Sequence, residues 1–479
     1  MPVRSAQAYT VILLLLLLPP ASVLPAHASS EDALDQWRDW GAVAWRYLQP
    51  SVAWDADTGL HYEAYGHHYF TDWGLASYLF SLMAAQELGL VAAPYDLEYR
   101  VGKVLDFLST RRLSSGVPYL TYSADDGHPT TTELSNAADF GRLLIALYLL
   151  KQKLAEDGLS YLVSKIDYVV NNYTGAAFQL STQLSNDFYS FYVAQGFKLW
   201  GVDVSTTERE FLDLGRGPFV SATEMYGVEG IPASVRVTPE VLLAGLLEFH
   251  DIPSITGSPA WPLFEMFTRQ VYMVLEARYL STGRLTAWSE GAVDDDPYFV
   301  YEWIVDPDGR RWTILDSSLE VMWSETAGPN AAYGKNVIHR LPAVFTKVAF
   351  SLDALFATNY TRTLVNAVCG STLDSRGFME GLWERGGTDS ILHVQTADLI
   401  LAAAVYVVHH HSPAATAVTY SCPSTTASSS TTTASQEPTT GILVTAVAAV
   451  LLAGVAALVA RRLLRSRRPR SHASSSHSA

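Results

Sequence analysis

Cysteine is nearly absent from the 479-residue chain: Cys369 and Cys422 are the only two, so at most one disulfide can form. An oxidising compartment favours that bond over two free thiols, and it would pin the segment at 422 to the body of the protein. Basic residues are also scarce, with 32 Lys and Arg against 48 Asp and Glu. Between residues 29 and 422 the balance is 25 to 47, a net charge of −22. That excludes nucleic acid as a partner, because phosphates need a basic face, and it suits a neutral or cationic ligand. There is no GxSxG elbow, no HExxH and no glycine-rich phosphate loop. Adjacent histidines at His67-His68 point apart on a regular element, and His409 to His411 follow a helix end. No metal and no cofactor are expected.

The two ends are of a different kind. MPVR, the apolar block VILLLLLL and the small-x-small triplet Ala26-His27-Ala28 form a secretory signal peptide over 1–28. Residues 423–440, PSTTASSSTTTASQEPTT, cannot build a core and read as a flexible Ser/Thr-rich stalk. GILVTAVAAVLLAGVAALVA, 441–460, is uncharged and about as long as a bilayer core requires. The six arginines at 461–470 open a basic tail, 461–479, which the positive-inside rule assigns to the cytoplasm. The expected protein is therefore a single-pass membrane protein with residues 29–422 outside the cell. Sequons at Asn172 and Asn359 agree with an exposed glycoprotein.

Within 29–422 the dominant pattern is helical, with candidates at 72–90, 139–155, 188–200, 239–250, 261–281, 340–357 and 391–409. Several, such as DWGLASYLFSLMAAQELGL, are apolar all round, so they must be buried on both sides and need a second layer of helices. The stretch 284–315 breaks this pattern. Its alternating aromatics and the Pro307-Asp308-Gly309 turn predict a β-hairpin excursion. An internal echo links three of the helices: Asp72-Trp73-Gly74, Asp139-Phe140-Gly141 and Asn186-Asp187-Phe188-Tyr189 each open one. The spacing suits parallel helices of one layer, with their acidic starts at one end. Asn136 with Asp139 also forms an approximate capping box.

Carboxylates at helix starts are held ionised by the macrodipole, so Asp72 and Asp139 suit a base or nucleophile. A general acid needs apolar or like-charged surroundings. Glu290 has them, with Trp288, Tyr298, Phe299 and Asp294 to Asp296 close in sequence. The Asp294–Asp296 run itself reads as a charged loop. Twelve Trp and 25 Tyr cluster at 62–70, 186–192 and 297–303, where flat rings beside acids suit sugar binding.

DWGLASYLFSLMAAQELGLV, DFGRLLIALYLL, QVYMVLEARYLSTGRLTAWSEG, DPYFVYEWIVDPDGRRW, GFMEGLWERGG and QTADLILAAAVY resemble the DUF3131 family, related to glucoamylase-like proteins, over roughly 70–405. The resemblance implies a mainly α, (α/α)6 toroid with a funnel at one end of its inner ring. It also implies paired carboxylates acting on glycosyl linkages. The matching polar positions are Asp72, Asp139, Arg142, Glu276, Arg278, Glu290, Glu380 and Glu384. The segment QTAD, with Thr396 and Asp398, departs from the asparagines expected of relatives.

The expected function is a membrane-anchored extracellular glycoside hydrolase or transglycosylase acting on an oligo- or polysaccharide. Glu290 is the expected acid and Asp139 or Asp72 the base or nucleophile. Arg142, Trp73, Asp187, Tyr189, Glu276, Arg278, Trp288, Tyr298, Glu380 and Glu384 are expected around the substrate. Two alternatives stand beside it: a non-catalytic glycan-binding or cell-envelope protein on the same toroid, and a uronate lyase, which the acidic surface disfavours.

Overall fold

Pairs of helices, one buried all round and one amphipathic, alternate along a computed structural model that describes residues 30–330, 335–410, 420 and 422. The signal peptide, the stalk, the apolar stretch 441–460 and the basic tail lie outside the described residues. Among the described residues no helix is long and apolar enough to cross a membrane.

Among the described residues thirteen helices have eight or more residues: α1 (Ser30–Trp45), α2 (Asp72–Glu87), α3 (Leu97–Thr110), α4 (Ala137–Glu156), α5 (Ser160–Asn172), α6 (Thr174–Ser181), α7 (Phe188–Leu199), α8 (Ser205–Leu214), α9 (Glu240–Phe249), α10 (Trp261–Thr282), α11 (Thr346–Phe356), α12 (Asn359–Ser371) and α13 (Val394–His410). Helices α2, α4, α7, α9, α11 and α13 each pack on the next, and α13 packs back on α2, closing an inner ring. The others lie outside it, with α5 and α6 together filling one outer position. This is the (α/α)6 toroid. The seven expected helices all form, six of them as the inner ring. The one expected from 340 begins only at Thr346, because Pro342 has no amide to give a helix and Ala343–Phe345 pairs as a strand with Gly381–Trp383.

The layers follow from residue patterns. In α2 all but the last two residues are buried, since other helices flank it on every side. In α3 the buried set Leu97, Val101, Val104, Leu105 and Leu108 repeats every three or four residues and makes one apolar stripe facing inward. Neighbouring inner helices run parallel. Gly141 of α4 meets Val193 of α7, and one turn on, Trp200 donates to the Leu144 carbonyl (2.9 Å). A Cβ on Gly196 would sit 2.0 Å from the Gly141 carbonyl oxygen, so this crossing requires glycine.

The excursion is larger than a hairpin. Strands β1 (Glu290–Ala292), β2 (Phe299–Val305), β3 (Arg311–Asp316), β4 (Val321–Ser324) and β5 (Gly328–Pro329) form a five-stranded antiparallel sheet in sequence order. The β2–β3 turn falls at the expected Pro307-Asp308-Gly309, with the Gly309 amide donating to the Asp306 carbonyl and Gly309 at φ +80°. Asp294 and Asp295 bind Arg340 (3.1 and 3.2 Å), so the acidic run clasps a loop. Cys369 and Cys422 are disulfide-bonded. Asn172 and Asn359 are exposed.

Candidate functional site

The three echoed motifs open three adjacent inner helices, and each is capped. The Thr71 hydroxyl accepts from the Gly74 amide (3.0 Å), the Asn136 side chain from the Asp139 amide (3.0 Å) and the Asp187 carboxylate from the Ser190 amide (2.8 Å). Their acids then part ways. Asp72 turns inward and is sealed, bound by both Nη atoms of Arg111 and by the Ser135 hydroxyl. It cannot meet a substrate, which corrects its expected catalytic role: the ion pair locks the start of α2 to the end of α3.

Asp139 stays half-buried, open to the ring end. Its carboxyl is pushed up to about 8, first by burial and then by the charges of Asp72 and Glu63. The helix dipole was expected to lower it. Desolvation and two like charges outweigh a partial charge of about half a unit. Asp139 is thus both a first-turn residue of a capped helix and a proton holder at neutral pH.

Glu63, which sequence reasoning missed, is the next carboxylate. It accepts from the Thr71 amide (2.9 Å) and hydroxyl (3.3 Å), and its carboxylate lies 3.7 Å from His393 Nε2. Burial raises it to about 7 against the pull of the Thr71 bonds and Arg142. A Cβ on Gly74 would sit 2.2 Å from Glu63 Oε2, so the glycine after Asp72-Trp73 makes room for this acid. The available signal was its place inside HYEAYGHHYF, a cluster too polar to be all core.

Opposite these acids, β1 presents Glu290. Its Oε2 accepts from the Tyr189 hydroxyl (2.5 Å) and its Oε1 from the Trp303 indole (2.6 Å). Burial raises its pKa, while Arg236 and these two donors favour the charged form. Tyr301 pairs with Glu290 across the β1–β2 ladder. Its phenol is raised first by burial and then by the charges of Glu290 and Asp139. Arg236, also missed, lies over the Tyr189 and Trp303 rings (4.9 and 4.7 Å). Trp73 borders the same wall, 5.7 Å from the Tyr189 ring. The structure therefore gathers Asp139, Glu290, Trp73, Asp187 and Tyr189 with Glu63, Arg236, Tyr301 and Trp303.

Below this basin lies a sealed layer. Lys347 binds Glu240 (3.0 Å) and Gln395 (3.1 Å) and approaches Glu380 (3.7 Å). Thr396 donates to Glu380, and Ser289 to Glu240. Arg142 bridges Glu248 (2.9 Å) and Asp398 (2.7 Å) beneath the Trp73 ring (4.5 Å). Arg142 and Glu380 were expected to touch substrate; both are buried and committed, so they support the basin from below. Thr396 and Asp398 are built into the same network.

Four expected residues lie elsewhere. Arg278 binds Glu384 (3.1 Å), Glu325 (3.3 Å) and Thr286 (2.8 Å), and it sits over Trp288 and Trp312 where α10 meets the sheet. Trp288 is wholly buried there. Glu276, on the outer helix α10, accepts from Tyr272 (2.7 Å). Arg278, Glu384 and Trp288 thus fasten sheet and outer helix, while Glu276 is bonded within its own helix. Polar residues in a specific segment signal a constraint without saying whether it is chemical or architectural. Tyr298 is half exposed at the β1–β2 turn, at φ +63°.

The arrangement resembles known proteins in sequence and in fold. The DUF3131 family, described as a protein of unknown function, matches residues 39–409. No curated protein matches by sequence. A candidate glucoamylase from Bacteroides fragilis NCTC 9343 superposes with a TM-score of 0.57 at 12% identity, covering 83% of this chain and 94% of that one. The endo-β-1,2-glucanase from Talaromyces funiculosus, solved with sophorose, gives 0.51 at 12%, covering 80% and 88%. The endo-β-1,2-glucanase from Chitinophaga pinensis, solved with sophorotriose and glucose, gives 0.52 at 11%, covering 81% and 97%.

Proposed function

As the chain belongs to the DUF3131 family, whose function is unknown, we propose that its ring-end basin is the active centre of a glycoside hydrolase or transglycosylase acting on a neutral glucan. The observation that carries this reading is a carboxyl held protonated at Asp139 and a second carboxyl, Glu290, whose two oxygens each accept a hydrogen bond, both beside aromatic rings. Asp139, raised to about 8, gives its proton to the leaving glycosidic oxygen as the C–O bond breaks. Glu290, its two oxygens fixed by Tyr189 and Trp303, takes a proton from the incoming water or attacks the sugar directly. This reverses the roles expected from sequence, because environment, not position on a helix, sets which acid keeps its proton. Trp73 and Tyr301 offer ring faces for sugar C–H surfaces.

Linear β-1,2-glucan, named for two of the similar structures, is the first substrate to test. Wild type should release shorter products. D139N and E290Q should each lose about 10³-fold or more in kcat/KM while still unfolding in one cooperative transition, neither less stable than wild type by more than a few degrees. Either variant keeping more than a tenth of the activity would remove that residue from the mechanism. An oligosaccharide bound tightly but never cleaved would establish the glycan-binding alternative instead.

The same proposal places the basin outside the cell, behind the signal peptide and on a stalk held by the apolar stretch 441–460. The disulfide and the exposed sequons support that side of the membrane.

A further inference from the structure

Arg236 is the one cation of the basin that the fold leaves uncommitted. Among the described residues no acceptor hydrogen-bonds its guanidinium and no carboxylate lies within ion-pair distance. Its Nε is covered and unpaired, while the side chain as a whole is half-buried. Compare Arg142, Arg111 and Arg278, each buried and bound to one or more carboxylates. The two Glu290 oxygens accept from Tyr189 and Trp303, and neither accepts from Arg236. The same two rings underlie the guanidinium and hold its plane. The backbone is fixed as well: the Val237 amide donates to the Val305 carbonyl and the Ile304 amide to the Val237 carbonyl (both 2.9 Å), tying this segment to the strand that carries Tyr301 and Trp303.

The geometry points to Arg236 as a substrate-binding residue whose terminal N–H groups donate to two adjacent hydroxyls of the sugar placed against Glu290. This rests on the glycan reading of the basin and adds the group that orients the ring. A planar fork with two donors on one edge reaches two neighbouring oxygens at once, which an ammonium cannot do. Hydroxyls rather than a carboxylate or phosphate are the match. The charges of Glu290 and Asp187 already act on this guanidinium, and the body of the protein carries a net charge of −22, so an anionic ligand would be repelled.

The test is calorimetric titration of β-1,2-gluco-oligosaccharides into full-length D139N, in which cleavage is blocked, and into D139N/R236A and D139N/R236K. Both double variants should bind roughly 10- to 100-fold more weakly than the parent, the loss expected for charge-assisted hydrogen bonds. R236K keeps the charge and an apolar stem over the rings, so it also guards against failure to fold. In active protein R236K should leave the acid limb of the pH–rate profile in place, whereas R236A should move it upward as Glu290 loses its cationic neighbour. R236A binding within twofold of the parent, or R236K restoring full affinity, overturns the assignment while the glycan reading stands. A D139N parent that binds none of the oligosaccharides overturns both.

Discussion

Asp139 occupies an ordinary place in the sequence, the third residue of a capped helix, and an unusual one in space. Its proton has a thermodynamic signature. The carboxyl titrates near 8 in the folded chain and near 4 when unfolded, so between those values the folded state binds more protons. Its contribution to stability is therefore lost as pH rises through that window. D139N, which cannot titrate, should unfold at a higher temperature than wild type at pH 8, and the gap should close towards pH 5. Thermal melts at the two pH values check this; a gap that does not change with pH would contradict the raised carboxyl. In activity, kcat/KM should fall above about pH 8 as the same proton leaves. Asp139 was legible from the echo of acids that open apolar helices, and Glu290 from the aromatics and acids close to it in sequence. Glu63 and Arg236 were not, since each gains its role from partners far along the chain: His393 for Glu63, and Tyr189 and Trp303 for Arg236. Asp72 shows the opposite limit. Nothing local reveals that Arg111, 39 residues away, neutralises it.

At the scale of elements, what matters is how closely the inner helices approach. The Gly141–Gly196 contact sets the distance between α4, which carries Asp139, and α7, which carries Tyr189. G196A would force a methyl group onto the Gly141 backbone and should cost roughly 1–3 kcal/mol or more, as overpacking does. Denaturant unfolding reads the loss; an unchanged midpoint would mean that the two helices can part without penalty. The inner helices were readable because a segment apolar on every face can only be interior. Sequence alone does not single out α1, α3, α5, α8 and α12, whose apolar stripes are narrow and whose polar faces resemble loops. The hairpin turn was legible from Pro-Asp-Gly. Its growth into five strands was not, because β4 and β5 are short and pair only with their neighbours in the sheet.

For the whole molecule, the ring explains why the candidate residues gather at one end. Six parallel helices bring six N-termini to the same side, and the loops entering them supply Glu63, Arg236 and Glu290. The C-terminal edge of the described residues is secured separately. Tyr420 packs edge-on against Trp40 (4.8 Å) and donates to Asp353 (2.5 Å), two residues before the Cys369–Cys422 bond. That bond spans 53 residues, and replacing both cysteines with serine should lower stability by about 2–5 kcal/mol without altering the basin. Thermal unfolding with parallel activity or binding assays checks both halves of that expectation.

The most direct measurement is a crystal structure of D139N soaked with a β-1,2-gluco-oligosaccharide. The account predicts sugar density at the N-terminal end of the inner ring, with a glycosidic oxygen within hydrogen-bond reach of Asn at position 139 and a ring beside Glu290 and Arg236. Sugar bound only on the outer helices or the far end of the ring, with this basin left to solvent, would contradict it.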